Sequence, residues 1–125
     1  MKYIGNIEKE TLRNENFRQV LNTTELSQLV VMSLLPGEEI GTEVHPDTDQ
    51  FIRIEEGEAM VILDGEETKV EDDFAIVVPA GVEHNVINTG DESLKLYTIY
   101  TPAHHPAGTI HKTKAEAEAS EKNHH

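Results

Sequence analysis

A chain of 125 residues is sized for one domain with a core of its own. With 24 acidic against 10 basic side chains, its net charge is -14, a balance that repels phosphate backbones and anionic lipid heads and speaks against nucleic acid and membrane as partners. The absence of cysteine excludes a disulfide framework, a thiolate metal site and a thiol nucleophile; charges throughout the first twenty residues and the lack of a bilayer-long apolar run make the cytoplasm the expected location.

Residues 1–28 are weakly patterned, broken at Asn14-Glu15-Asn16 and Asn22-Thr23-Thr24, with a short strand expected around Phe17 and Val20-Leu21. Leu29-Val30-Val31-Met32-Ser33-Leu34-Leu35 is an apolar, β-branched-rich run stopped by Pro36-Gly37, which predicts a buried strand. A strand over 40–45, a polar turn at Pro46-Asp47-Thr48-Asp49 and a strand over 50–54 follow. Ala59-Met60-Val61-Ile62-Leu63 and a return strand over 66–70 flank Asp64-Gly65, the strongest hairpin signal in the chain. Phe74-Ala75-Ile76-Val77-Val78 reads as another buried strand, closed by Pro79-Ala80-Gly81. Strands over 85–88 and 94–100 are separated by Thr89-Gly90-Asp91. Short strands at near-regular spacing, without helical periodicity, predict an all-β sandwich or barrel. Nearly continuous apolar runs imply that several strands are covered on both faces, and a second copy of the chain is one such cover, hence an expected homodimer.

The tail differs in kind. Pro102-Ala103-His104-His105-Pro106-Ala107-Gly108 is predicted irregular, and residues 112–119 have helix-forming composition without an apolar stripe. The expected organisation is therefore a β-domain over 1–103 and a tail over 104–125, packed on the barrel mouth or on a partner subunit. His124-His125 reads as the stub of a purification tag and is set aside.

The chemistry gathers at strand edges. Glu43 and His45 are two apart, which on a strand places both on one face. Gln50 opens the next strand and His84 a later one. If Gln50 points inward, so do Ile52 and Ile54, while Arg53 and Glu55 face out; polar Gln50 then needs a partner on a core face. His84 shares its face with Val86 and Asn88. A carboxylate, two imidazoles and an amide oxygen converging on one point make a metal site; a hydrogen-bonded polar cluster is the alternative. Tyr97 and Tyr100 fall on opposite faces, so one of them at most lines the interior. Glu55, Glu56 and Glu58 read as a solvated face, and no basic cluster is expected inside.

These residues carry a family resemblance. Gly37, five residues, Glu43-Val44-His45, four residues, Gln50, six residues and Gly57 resemble the first motif of the cupin superfamily; Asp73, five residues, Pro79-x-Gly81, two residues, His84, three residues and Asn88 resemble the second. Glu43 stands in the first histidine's place, Gln50 in the glutamate's and Asp73 in a glycine's. The resemblance to small single-domain microbial cupins implies a double-stranded β-helix, the cupin jelly-roll barrel, with an irregular or short helical C-terminal tail. It implies one divalent transition metal per chain, zinc, manganese, iron, nickel or cobalt, held by Glu43, His45, Gln50 and His84. Two functions follow as expectations. One is metal-dependent chemistry on a small polar molecule, isomerase-like or of non-haem iron dioxygenase type, with Glu43 as a possible base. The other is a non-catalytic module binding a small ligand or metal. A storage or assembly role is a weaker third. Whether the protein is an enzyme stays open. His104, His105 and His111 are either exposed loop imidazoles or contacts to a bound ligand, with His105 and His111 as the candidate substrate-binding pair.

Overall fold

Asp64 and Gly65 both hold positive φ, 48° and 84°, and turn the strand Ala59–Leu63 directly into Glu66–Val70, with Leu63 facing Glu66. A two-residue loop of this hand matches the twist of the strands it joins. The computed structural model describes residues 2–123, so His124 and His125, set aside as a tag stub, lie outside the described residues. In chain order the elements are α1 (Ile7–Arg13), β1 (Arg18–Thr23), β2 (Gln28–Leu34), β3 (Asp49–Glu56), β4 (Ala59–Leu63), β5 (Glu66–Val70), β6 (Ala75–Val78), β7 (His84–Asn88), β8 (Leu94–Thr101), β9 (Ile110–His111) and α2 (Lys114–Asn123).

Two antiparallel sheets face each other, one ordered β6-β3-β8-β2-β1-β9 and the other β5-β4-β7. Register sorts the inward residues into rungs. Met32, Leu96 and Ile54 lie on one rung, and Gln28, Tyr100, Gln50 and Val78 on another. The first is apolar; the second gathers three polar side chains at the opposite end. Val30, Met32, Leu34, Ile52, Ile54, Leu94 and Leu96 have no exposed surface; burying each such side chain stabilises the fold by about 1.5–3 kcal/mol. The core thus occupies one end of the barrel and a polar mouth the other. This is the all-β jelly-roll fold with a short helical tail.

Several elements depart from the sequence expectations. α1 was not anticipated. Asn6 caps it, its side chain accepting from Lys9 N at 3.0 Å, with Glu8 and Glu10 in the first turn and Arg13 in the last. It lies against the outer face of β2, β3 and β8. That cover accounts for buried Val31, which faces outward beside Tyr97. Glu55 on β3 is not a solvated charge either: its side chain is 6% exposed and pairs with Arg53 Nε at 3.2 Å. β6 is an edge strand with one covered face. Ile76 and Val78 turn inward and are buried, whereas Val77 turns to the outer face and is 63% exposed. Tyr100 is the tyrosine that turns inward.

Two motif positions have conformational duties. Asp73, in the glycine's place, adopts φ 71° and donates its N–H to the Ile54 carbonyl. Gly57 sits at φ 120°, and a Cβ there would lie 3.2 Å from Leu94 Cα. Both the dihedral and the backbone contact reject a side chain. Gly57→Ala is expected to cost about 2 kcal/mol of stability, read as a lowered urea midpoint with an unchanged m-value. Asn88 knots a turn: its Nδ2 donates to the Leu34 and Glu92 carbonyls and its Oδ1 accepts from Gly90 N, all at 2.9 Å.

Candidate metal centre

Glu43 and His45 arrive on an extended segment rather than on the strand expected over 40–45. Gly37 at φ 83° and Gly41 at φ 107° bend the backbone, so only Glu39 and Glu43 form isolated bridges, to Ile87 and His84. The Glu43 and His84 backbones exchange hydrogen bonds of 2.9 Å in both directions, and Gly81 N–H donates to the His45 carbonyl at 2.9 Å. Pro79 and Gly81 therefore shape a turn that anchors His45 as well as leading to His84.

The side chains converge around His45, which is 6% exposed. Its Nε2 lies 3.4 Å from Glu43 Oε2. Its ring centroid is 4.1 Å from that of His104 and 5.0 Å from that of His84. Ligand atoms of Glu43, His45 and His104 all lie within 4.8 Å of one another. His84 Nδ1 is 2.9 Å from the Val82 carbonyl. A carbonyl only accepts, so Nδ1 carries a proton, which leaves Nε2 as the nitrogen of this ring that can face a metal. Gln50 is 3% exposed; its Nε2 donates to Thr98 Oγ1 at 3.0 Å, while its Oε1 is buried without a hydrogen-bond partner. That oxygen keeps its acceptor capacity for a donor or a cation at the mouth.

Burial sets the protonation states. It lowers His45 to about 4, aided by the charges of His104, His84 and Arg18. His104 is lowered too, chiefly by burial. Glu43 is raised to about 7, again by burial first, with Arg18 opposing and Glu121 adding to the rise. At neutral pH His45 and His104 therefore present lone pairs rather than charges, and the carboxylate ionises readily when a cation approaches.

The C-terminal segment supplies part of the mouth. Buried Gln28 clamps it: Nε2 donates to the His105 carbonyl at 2.7 Å, and Oε1 accepts from His105 N at 2.9 Å and His104 N at 3.2 Å. The clamp sets His104 against Tyr100, rings 5.4 Å apart and stacked, and His105 edge-on to Tyr100 at 5.3 Å. His105 is pushed down to about 2 by burial, and its Nε2 has no hydrogen-bond partner. His111 sits on β9 opposite Arg18, with His111 Nδ1 3.4 Å from Arg18 Nη1. Arg18 is 2% exposed. The interior therefore holds a guanidinium where the sequence predicts no basic cluster. Both Gln28 and Arg18 fall on the inward parity of their strands, with Val30 and Val20 respectively; alternation was the signal for each. His104 as a donor had no comparable signal, because the tail's path depends on Gln28.

The two imidazoles of His45 and His104 and the carboxylate of Glu43 form a nitrogen and oxygen donor set that fits a divalent transition metal. A family model described as a cupin domain matches residues 30–100. The chain belongs to the cupin family. This cupin is 50% identical over 125 residues to protein YrkC of Bacillus subtilis, a match spanning 95% of this chain and 67% of the relative. It is 47% identical over 112 residues to protein L612 of Acanthamoeba polyphaga mimivirus, spanning 86% and 70%. Among solved structures, it resembles BH2720 of Bacillus halodurans with a TM-score of 0.93 and 48% identity, over 95% of both chains. No helix among the described residues is long and apolar enough to cross a membrane.

Proposed function

We propose that this cupin binds one divalent transition metal and acts on a small polar molecule at the barrel mouth, with isomerase-like or dioxygenase-like chemistry. The carrying observation is the convergence on His45: Glu43 and His104 within 4.8 Å, His84 beside it, and Gln50 Oε1 without a partner. In this reading His45 and Glu43 are ligands common to the motif and to the cluster. His84 and Gln50 complete the motif's set, and His104 is a further donor from the tail. A bound metal would polarise a carbonyl or enediol or, as iron(II), activate dioxygen. Glu43, held near 7 by burial, is matched to accept a proton at neutral pH if it is released from the metal. Tyr100 and His105 face the same mouth and supply orienting contacts to a substrate.

The same proposal treats residues 104–125 as a tail completing a barrel of residues 1–103, and places the protein in the cytoplasm as a homodimer. The outward row Val77, Phe51 and Ile99, aligned by register, is the face that a second copy would cover.

Elemental analysis of untagged protein tests the central reading. Stoichiometric zinc, manganese, iron, nickel or cobalt is expected, with a large loss in His84→Ala. A wild type that stays metal-free after incubation with each of these ions would leave the cluster a hydrogen-bonded polar network and refute the proposal.

A further inference from the structure

The geometry points to Arg18 as a binding site for the carboxylate of a small organic anion, one end of which is held at the guanidinium and the other at the metal centre. This names a substrate class for the site proposed above, and so rests on that reading for the metal-bound end only.

Three observations carry it. First, Arg18 is 2% exposed, yet among the described residues no carboxylate lies within ion-pair distance of it; the ion pairs there are Glu10–Arg13, Glu43–His45, Arg53 with Glu55 and Asp73, and Lys114–Glu118. Its Nε has no hydrogen-bond partner, Nη1 meets a histidine nitrogen, His111 Nδ1, at the long distance of 3.4 Å, and the guanidinium carbon lies 5.3 Å from the centroid of the Phe17 ring, a contact that supplies no anion. A buried guanidinium carries five donors in a planar fork, cannot be deprotonated in a protein, and is expensive to bury without an anion. Second, its charge bears on the groups of the mouth, Glu43, His45, Tyr100, His104 and His105. The geometry agrees: Arg18 turns inward on β1 with Val20 and is buried, so its guanidinium shares the barrel interior with the donor cluster. Third, charge balance favours an anion. Glu43 is the single carboxylate of the donor cluster, and Glu121, whose charge also bears on the mouth, is exposed, so a divalent cation together with Arg18 would outweigh both carboxylates. A carboxylate matches the guanidinium fork bidentately.

The surface charge of -14 acts in the other direction, but it acts through solvent, where screening sets in beyond about 8 Å at physiological ionic strength. A fork contact made out of water is screened far less. The surface slows encounter with anions; the site decides which one stays.

Calorimetric titration of untagged, full-length protein with sodium malonate tests the assignment, run on protein as purified and on protein stripped of metal with a chelator. Saturable binding is expected in both forms, tighter with metal. Arg18→Met should weaken it about tenfold or more in the stripped form, while its melting temperature without malonate stays level or rises, since an unpaired buried charge has been removed. Unchanged malonate affinity in Arg18→Met, or no saturable binding by stripped wild type, overturns the proposal, as does tighter binding of inorganic phosphate than of malonate. If Arg18→Met does not fold, Arg18→Lys decides: it keeps the charge and loses the fork, so weakened binding supports a carboxylate site and equal binding refutes it. The stripped titration is independent of metal, so failure of the metal reading and failure of the anion site give different results.

Discussion

Replacing His45 with alanine is expected to abolish stoichiometric metal binding, with at least about 100-fold weaker affinity in competition with a chromophoric chelator. Loss of a group that merely orients a ligand already costs about 10–100-fold, and His45 is proposed as a ligand in its own right. It is the histidine shared by both donor sets, with Glu43 as the other common ligand. Glu43 and His104 lie with it inside a 4.8 Å cluster, and His84 lies beside it at 5.0 Å between ring centroids. His84→Ala and His104→Ala then separate the sets. If the motif's ligands hold the metal, His84→Ala approaches the His45→Ala loss and His104→Ala changes affinity modestly; if the cluster holds it, the order reverses. The fold should survive all three. Among the described residues His45 donates no side-chain hydrogen bond to the core, and the fully buried rungs around Met32, Ile54 and Leu96 sit at the other end of the barrel. A His45→Ala protein that melts normally and retains full metal would sink the assignment.

What the sequence made legible divides along physical lines. Period-two alternation from Gln50 to Ile54 and from His84 to Asn88 fixed which faces turn inward, because one face of each strand is buried and a one-residue slip would expose the core. The Asp64-Gly65 hairpin was readable for the same local reason. α1 was not: seven residues with only Thr11 buried leave no apolar stripe to detect, although Asn6 as a cap before Glu8 and Glu10 was a usable sign. The strand expected over 40–45 failed because Gly41 interrupts the ladder, and β6 appeared fully buried because an edge strand facing solvent keeps an apolar residue at Val77. At the site, Glu43, His45, Gln50 and His84 were picked out by local spacing and motif. Arg18 and Gln28 were not, and His104 was read as a loop imidazole or a ligand contact rather than a metal donor, since their meeting depends on pairings across 76 or 77 positions for the Gln28 clamp and 93 for Arg18 with His111. Parity could have placed Arg18 and Gln28 inside; nothing short of the tail's path could have placed His104.

The second large effect is expected at Gln50, and its sign should depend on metal. In Gln50→Glu the side chain keeps its shape, and Thr98 Oγ1, which now accepts from Gln50 Nε2 at 3.0 Å, can donate its own proton to the new carboxylate. What changes is charge. The orphaned Oε1 becomes part of an anion buried at 3% exposure, in a mouth where burial has already lifted Glu43 to about 7. Without metal that substitution should cost about 1–3 kcal/mol, lessened where the new carboxyl takes up a proton. With metal, the same anion faces a cation and restores the acidic residue of the motif, so affinity should rise about tenfold or more, equivalent to at least about 1.4 kcal/mol. Thermal melts of stripped and loaded protein, beside a chelator competition, read both halves. The variant should melt lower than wild type when stripped and gain more from loading, since a ligand stabilises the folded state in proportion to the logarithm of its occupancy excess. Equal metal affinity in the two proteins, with the stripped variant still destabilised, would mean that Gln50 Oε1 is aimed away from the metal and that its missing partner is to be sought elsewhere in the mouth.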